Sequence, residues 1–569
     1  MRILALGGAG TMGLHACRTL LALHRDIDLI VTDLDPARAA AAAARLLQET
    51  TPTTGPRSPG TDARTRPSGP SPKDGDTRAP AQRDAADTRT RVQSPNPDAQ
   101  AAATPTAQPD AGTQANPPGP AMRDGTPLGA KKHDADDDAS TRALPPAARD
   151  SAPHDASARA VTPAARDGAP DEASTGASDP DTRDGVPHDA STRALDPDAW
   201  DGASFGAVPR DAGVRVRALG LDVRDVVALA AAMRGVDVVV NTVGPFFRFG
   251  VPVLRAAIAA GCDYIDICDY WEPTVEMLGL DGAARAAGVT ALVGMGASPG
   301  VSNLLAVTAA RELDRVDRIV TGWDLTLGGL DGPARPGVPN AAVVHAVRQV
   351  TGTIRVTRRG RAVDERPLRR TVVDYPGAGR HTAWTFGHPE ALTLPAAFPS
   401  VRGSVNVTFA DAMTVAGLRA LGRAVDHRLV SPHRAATVAE WADRRFPADP
   451  ARAFRRRRLP PLFALATGAR DGAPAAVGCA LAQVPGDLTM GAATGIPLGA
   501  AVGLLAGRPP GVATPETLLD PDAFFTALAP HCVGHPRPED MTVTTHSWNP
   551  TASTDLNAAF ARIRRTLTP

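Results

Sequence analysis

The chain has 569 residues, and its 61 Lys+Arg balance 61 Asp+Glu to a formal net charge of zero. That length predicts several domains, and the balance excludes a chain-wide field for nucleic acid or an anionic membrane. Five scattered cysteines with no CxxC pair argue against a zinc knuckle or a disulfide framework, and predict a reducing, cytoplasmic setting.

No apolar run approaches the ~20 residues of a membrane span, and MRILALGG has neither the basic nor the apolar segment of a signal peptide. In chain order, Arg2–Leu6 predicts a short strand and Thr11–Leu23 a helix with Leu14, Cys17, Leu20 and Leu21 on one face. Asp28–Thr32 predicts a second strand, and Pro36–Gln48 an Ala-rich helix opened by proline. The pattern then stops. Between Thr51 and Trp200 the only large apolar side chains are Val92, Met122, Leu128, Leu144, Val161, Val186, Leu195 and Trp200. They cannot offset backbone ordering at roughly 1–2 kcal/mol per residue. A decaying DASTRAL repeat at Asp138–Leu144, Asp155–Val161 and Asp189–Leu195 carries about one apolar residue per copy, unlike a solenoid. A disordered Pro/Ala/Asp/Arg-rich insert over 50–207 is therefore expected.

Beyond it the alternation resumes. Strands are expected at Val214–Leu219, Asp237–Thr242, Tyr264–Ile267 and Val289–Val293, and helices at Val226–Met233, Val251–Ala260 and Thr274–Ala287. Strands alternating with helices predict an α/β fold with a doubly wound parallel sheet, of the Rossmann type, over 1–49 and 208–304. The insert falls between the second helix and third strand, at the end of the sheet opposite the strand C-termini where ligands bind. Closing so long a loop costs only about 3 kcal/mol more than a short one. Deleting Thr51–Ala207 is expected to leave cofactor binding intact.

Gly8-Ala9-Gly10-Thr11-Met12-Gly13 is a G-x-G-x-x-G that directly follows a strand and opens a helix. The first glycine permits the tight turn, the second lets backbone approach a pyrophosphate, and the third lets helix and strand pack closely. Asp33 ends the second strand, where a carboxylate accepts bonds from both adenosine ribose hydroxyls and repels a 2′-phosphate. NAD is therefore favoured, with NADP tolerated through the nearby Arg38. Asp222 follows the third strand, either at the adenine or as a helix cap. Asn241, Thr242 and Gly244 follow the fourth, beside the nicotinamide ribose. Only Lys73, Lys131 and Lys132 are lysines, all inside the insert. The folded part thus offers no Walker A loop and no Schiff-base lysine.

GGAGTMG, NTVGPFFRFGVPVLRAAIAAGCDYIDICD and GMGASPGVSNLLA together resemble the saccharopine dehydrogenase-like oxidoreductases, and GHPEALTLP, ATGIPLGAA and GVATPETLLDPDAFF resemble the second half of bacterial members. The resemblance covers nearly everything outside the insert. It implies an α+β substrate and dimerisation domain over 305–485, and a segment over 486–569 that packs back on the Rossmann domain. It also implies a homodimer and hydride transfer at a carbon bearing nitrogen, on an amino-acid-like small molecule. Saccharopine-forming relatives carry an acidic residue where this chain has Ser298, which argues against saccharopine itself. Reduction of a carbon–carbon double bond and nucleotide sensing without turnover are the alternatives.

Candidates for the chemistry lie past strand ends. Asp269 would anchor a cationic nitrogen and Tyr270 would relay a proton, or the two cap and pack. Asp266, between Ile265 and Ile267, is expected to be structural, and Cys268 is not needed as a nucleophile. Ser298 opens a turn into a helix N-terminus suited to a carboxylate or phosphate, and Asn303 either binds ligand or caps. His388 and Glu390, in the GHPE stretch, would close over the substrate, with Glu390 as a further catalytic group. His345 is expected to be packed within a helix over 341–350. No His/Asp/Glu set has metal-ligand spacing. Arg444-Arg445 and Arg455–Arg458 are expected on a solvated face or in a domain-linking loop rather than at nucleic acid. Strands at Asp317–Leu327, Thr353–Arg358, Arg370–Val373, Thr382–Thr385 and Ser404–Phe409 would form a second sheet.

Overall fold

The computed structural model describes residues 1–49, 213–325, 329, 339–446, 458–487, 489–548 and 556–567, and these lie in one compact unit. The stretch expected to be a disordered insert, with its repeats and all three lysines, lies outside the described residues, as do Arg455–Arg457.

The first half opens with β1 (Arg2–Leu6), α1 (Thr11–Leu23), β2 (Ile27–Asp33) and α2 (Pro36–Glu49). After the insert come β3 (Val214–Gly220), α3 (Val226–Ala232), β4 (Val238–Asn241), α4 (Phe246–Ala260) and β5 (Asp263–Asp266). Then follow α5 (Trp271–Leu278), α6 (Asp281–Ala287), β6 (Thr290–Leu292) and α7 (Val301–Ala310). Central strands β1 and β4 are buried on both faces, which explains their unbroken apolar runs rather than an alternation. Two helices depart from expectation. Helix α4 begins at Phe246, with Pro252 inside it rather than at its start. The single helix expected over 274–287 is two, because Gly279 and Leu280 end α5 and lead into α6.

The second half contains β7 (Arg315–Asp324), α8 (Ala341–Gln349), β8 (Ile354–Arg358), β9 (Arg361–Glu365), β10 (Arg370–Tyr375) and β11 (Gly379–Phe386). It continues through α9 (Glu390–Ala397), β12 (Gly403–Phe409), α10 (Ala412–Asp426), α11 (Pro432–Arg445), β13 (Leu462–Arg470) and β14 (Ala473–Leu481). The chain closes with α12 (Met490–Val502), β15 (Gly511–Ala513), α13 (Pro515–Leu518), α14 (Pro521–Leu528), β16 (Thr542–His546) and α15 (Leu556–Leu567).

Seven strands form the parallel sheet in the order β15-β6-β5-β4-β1-β2-β3. The order reverses at β1, so the crevice between β1 and β4 opens at their carboxyl ends. Strand β15 arrives from the far C-terminal segment. The same segment gives β16 to the other sheet, whose order is β10-β11-β12-β7-β13-β14-β16. The C-terminal segment therefore closes both layers. Helix α12 lies along α1, and Gly495 and Gly499 make the approach possible: a Cβ at Gly495 would run into the Met12 carbonyl, and one at Gly499 would sit 2.7 Å from that of Ala16.

Candidate active site

A cavity of about 690 Å³ opens at the crevice. Gly10, Thr11, Met12 and Gly13 line it on one side, with Thr242 and Gly244 from the loop after β4. Gly10 is the cap of α1 and has no side chain to bond the first N–H groups, and the first turn holds no acidic residue. The positive end of a 13-residue helix thus faces the cavity uncompensated, which suits a phosphate. A Cβ on Gly13 would strike the Gly7 carbonyl and lie 2.7 Å from Gly8 Cα. One on Gly10 would meet only the Gly7 carbonyl at 3.0 Å, which leaves space in front of the loop. This cradle fits a dinucleotide diphosphate.

The other expected nucleotide contacts divide. Asp33 ends β2 with its carboxylate bound by Arg38 Nη1 at 3.2 Å and accepting the Asp35 N–H at 3.1 Å. Arg38 itself lines the cavity. Asp222 chelates Arg224 at 2.6–3.0 Å and is not the cap of α3; Asp225 is. Asn241 is wholly buried: Nδ2 donates to the Tyr264 hydroxyl and Oδ1 accepts the Val243 N–H, so it shapes the loop from behind. Thr242 donates its hydroxyl to the Leu6 carbonyl.

The opposite wall carries two acid–histidine couples. Asp269 follows β5 and lines the cavity, its Oδ1 3.3 Å from His345 Nδ1 and its Oδ2 accepting from Gln349 Nε2 at 3.0 Å. Burial works to raise its pKa, but His345, the nearby His388 and the Gln349 bond outweigh it and hold the carboxyl below its ordinary value. An ionised carboxylate therefore faces a chamber whose walls include the apolar Phe246, Ile267, Trp323 and Leu462 and the charged Arg38, Asp324, Glu440 and Arg444. His345 is packed, as expected, against Tyr270 at 4.8 Å, yet it also reaches the cavity, which its apolar neighbours in the sequence did not signal. Helix spacing was the available signal: His345 and Gln349 lie four residues apart on one face of α8.

In the second couple, His388 Nδ1 lies 3.0 Å from Ser298 Oγ, and Ser298 donates to Glu390 Oε1 at 2.6 Å. Ser302 donates to the same oxygen at 2.7 Å. Ser298 and His388 line the cavity, whereas Glu390 is fully buried behind them. Asn303 is also buried: its Oδ1 accepts the Gly300 N–H and its Nδ2 donates to Glu516, the capping arrangement. Tyr270 is turned away, its hydroxyl on the His345 carbonyl at 3.4 Å and its pKa pushed up by burial. Burial likewise raises the Cys268 thiol far above its ordinary value, which makes it inert. Asp266 is wholly buried and fastens the ends of β4, β5 and β6 through Tyr264 and the Cys268 and Gly294 N–H groups. Arg444, expected on a solvated face, instead lines the cavity and is bound to Glu440 at 2.8 Å.

Residues 199–292 match the family model described as the saccharopine dehydrogenase NADP binding domain. That stretch is similar to the nucleotide-binding domain of the saccharopine dehydrogenases. A domain of this kind binds NAD(P), and the glycine loop Gly8–Gly13 lies outside the matched stretch. Solved structures similar to the chain include apo saccharopine dehydrogenase (L-Glu forming) from Saccharomyces cerevisiae, at 15% identity and TM-score 0.36, covering 55% of this chain and 86% of that one. Amine dehydrogenase from Mycobacterium smegmatis matches at 12% identity and TM-score 0.24, covering 53% and 80%. Biliverdin reductase from Synechocystis sp. PCC 6803 matches at 12% identity and TM-score 0.16, covering 40% and 84%. The match over 199–292 supports an NAD(P)-dependent oxidoreductase. Among the described residues no helix is long and apolar enough to cross a membrane.

Proposed function

We propose that this oxidoreductase acts on a carbon–nitrogen centre, interconverting an amine and an imine in an amino-acid-like small molecule. The supporting observation is a single cavity that joins the phosphate-binding turn Gly10–Gly13 to the ionised Asp269 carboxylate. Gly10–Gly13 would hold the diphosphate and Asp33 the adenosine ribose. Bound NAD(P) supplies the hydride acceptor or donor. Asp269 would hold the substrate's cationic nitrogen, and its ties to His345 and Gln349 keep it oriented and charged when water is expelled. Ser298 and His388 complete the substrate wall. With Asp33 at the end of β2, NAD is the favoured form, and Arg38 beside it gives NADP a partner for its extra phosphate.

The test is a panel of primary and secondary amines with NAD⁺ and NADP⁺, and of cyclic imines with the reduced forms, followed by nicotinamide absorbance. Turnover with amines, lost in Asp269→Asn while the nucleotide still binds, is the expected result. Turnover confined to uncharged enones, unaffected by that substitution, would overturn the assignment.

A further inference from the structure

His388, Ser298 and Glu390 form a chain of hydrogen bonds whose direction is set by proton counting. Ser298 Oγ carries one hydrogen. It donates that hydrogen to Glu390 Oε1 at 2.6 Å, an oxygen that also accepts from Ser302 at 2.7 Å. Toward His388, 3.0 Å away, the same Oγ is left only its lone pairs, so Nδ1 must carry the ring proton. A neutral imidazole protonated at Nδ1 has its free lone pair at Nε2. The ring has little freedom to escape this choice: it stacks on Trp323 at 5.9 Å and meets the Phe386 edge at 5.3 Å. The second Glu390 oxygen lies 3.8 Å from Nδ1, is buried, and has no hydrogen-bond partner among the described residues.

His345 is differently employed. Its Nδ1 is engaged by Asp269, and its Nε2 is buried against Gly244, where even an added Cβ would sit 3.2 Å from it. We infer that the buried Glu390 acts through Ser298 to hold His388 as the Nδ1–H tautomer, which makes Nε2 the cavity's proton acceptor. The assignment rests on the amine reading given above and deepens it. In the oxidative direction a substrate ammonium must lose a proton before the adjacent C–H can leave as hydride. The N–H bond breaks and Nε2–H forms; the C–H electron pair leaves with its hydrogen to NAD(P)⁺, and a C=N bond remains. Glu390 and Ser298 are then positioning residues, and His388 is the catalytic one.

The tautomer can be read without substrate or cofactor. The full chain, labelled with ¹⁵N-histidine, gives long-range ¹H–¹⁵N spectra in which His388→Gln identifies the His388 signals. The expected pattern above the imidazole titration is a single Nδ1–H form with Nε2 unprotonated. Ser298→Ala should convert it to the Nε2–H form or a mixture, and Ser298→Thr, which keeps the hydroxyl, should restore it. A parent protein already in the Nε2–H form, or a Ser298→Ala spectrum identical to the parent's, would overturn the relay. On amine oxidation, His388→Gln should lower kcat by roughly 10²-fold, and Glu390→Gln by about tenfold, with nucleotide affinity unchanged. The Nδ1–H signature in a protein that turns over no amine would sink the amine reading and leave the relay standing.

Discussion

Exchanging Gly10 and Gly13 for alanine one at a time separates cofactor binding from folding. At Gly13 the new methyl would overlap the Gly7 carbonyl and sit 2.7 Å from Gly8 Cα and 2.9 Å from Gly7 C, well inside the 3.4 Å where ordinary contact begins. Relief would require α1 to back away from the turn. It cannot retreat freely, because α12 lies against it through Gly495 and Gly499. Overpacking costs about 1–3 kcal/mol, and a helix clamped on both sides puts Gly13→Ala near ~3 kcal/mol, a large share of the whole stability. At Gly10 the methyl meets one atom, the Gly7 carbonyl at 3.0 Å, and the backbone is already extended at φ −73° and ψ 167°, which alanine adopts freely. Its cost to folding should stay within about 1 kcal/mol, mostly the poorer helix cap. That methyl would, however, occupy the space where a pyrophosphate approaches, so nucleotide affinity should fall about 10–100-fold, or ~1.4–2.8 kcal/mol. Urea unfolding and NADPH fluorescence titration measure the two effects. A Gly10→Ala protein that binds NADPH like the parent, or a Gly13→Ala protein that unfolds like the parent, would refute the reasoning.

Asp33→Ala frees Arg38 and should weaken NAD at least about tenfold while NADP loses less; equal loss for both would remove the basis for the NAD preference. Burial pushes the Asp266 carboxyl up to about 6, so the native state holds that proton more tightly than the unfolded chain. The stabilisation is fully present below about pH 4 and is lost as pH rises through 6, a swing of about 3 kcal/mol that urea unfolding of Asp266→Asn should no longer show. Asp269 has the opposite sign. Its depressed pKa contributes stability that is fully present above the ordinary carboxylate range and is lost only as pH falls through the lower native value, so unfolding between pH 5 and 7 should show no pH dependence from it. Asp269→Asn should cut amine affinity at least about tenfold and leave NADPH binding within about twofold; loss of both together would mean that the carboxylate supports the fold instead.

The Rossmann half was legible because its signals are local. The glycine spacing, the doubly buried apolar strands and the helix periodicity of α1 all lie within short windows, and each maps onto a backbone that those residues favour on their own. The second half was only partly legible. Strands β13 and β14 read as Ala- and Gly-rich stretches with little alternation, since both faces of that sheet are covered along much of their length. The split between α5 and α6 was hidden because the apolar periodicity runs through the Gly279-Leu280 break.

Composition and local pattern alone established a nucleotide-binding turn of six adjacent residues, an acidic residue at the end of the next strand, and the absence of lysine outside the insert. They could not say which distant side chains meet. His388 joins Ser298 across 90 positions, and Asp269 joins His345 across 76. Whether Glu390 touches a substrate or stands behind a histidine depends on the packing of α9 against β12, and burial there removes it from the cavity. The reason is physical. A turn's conformation follows from nearest neighbours, whereas the protonation and reach of a catalytic group follow from the charges and dielectric that the folded chain assembles around it.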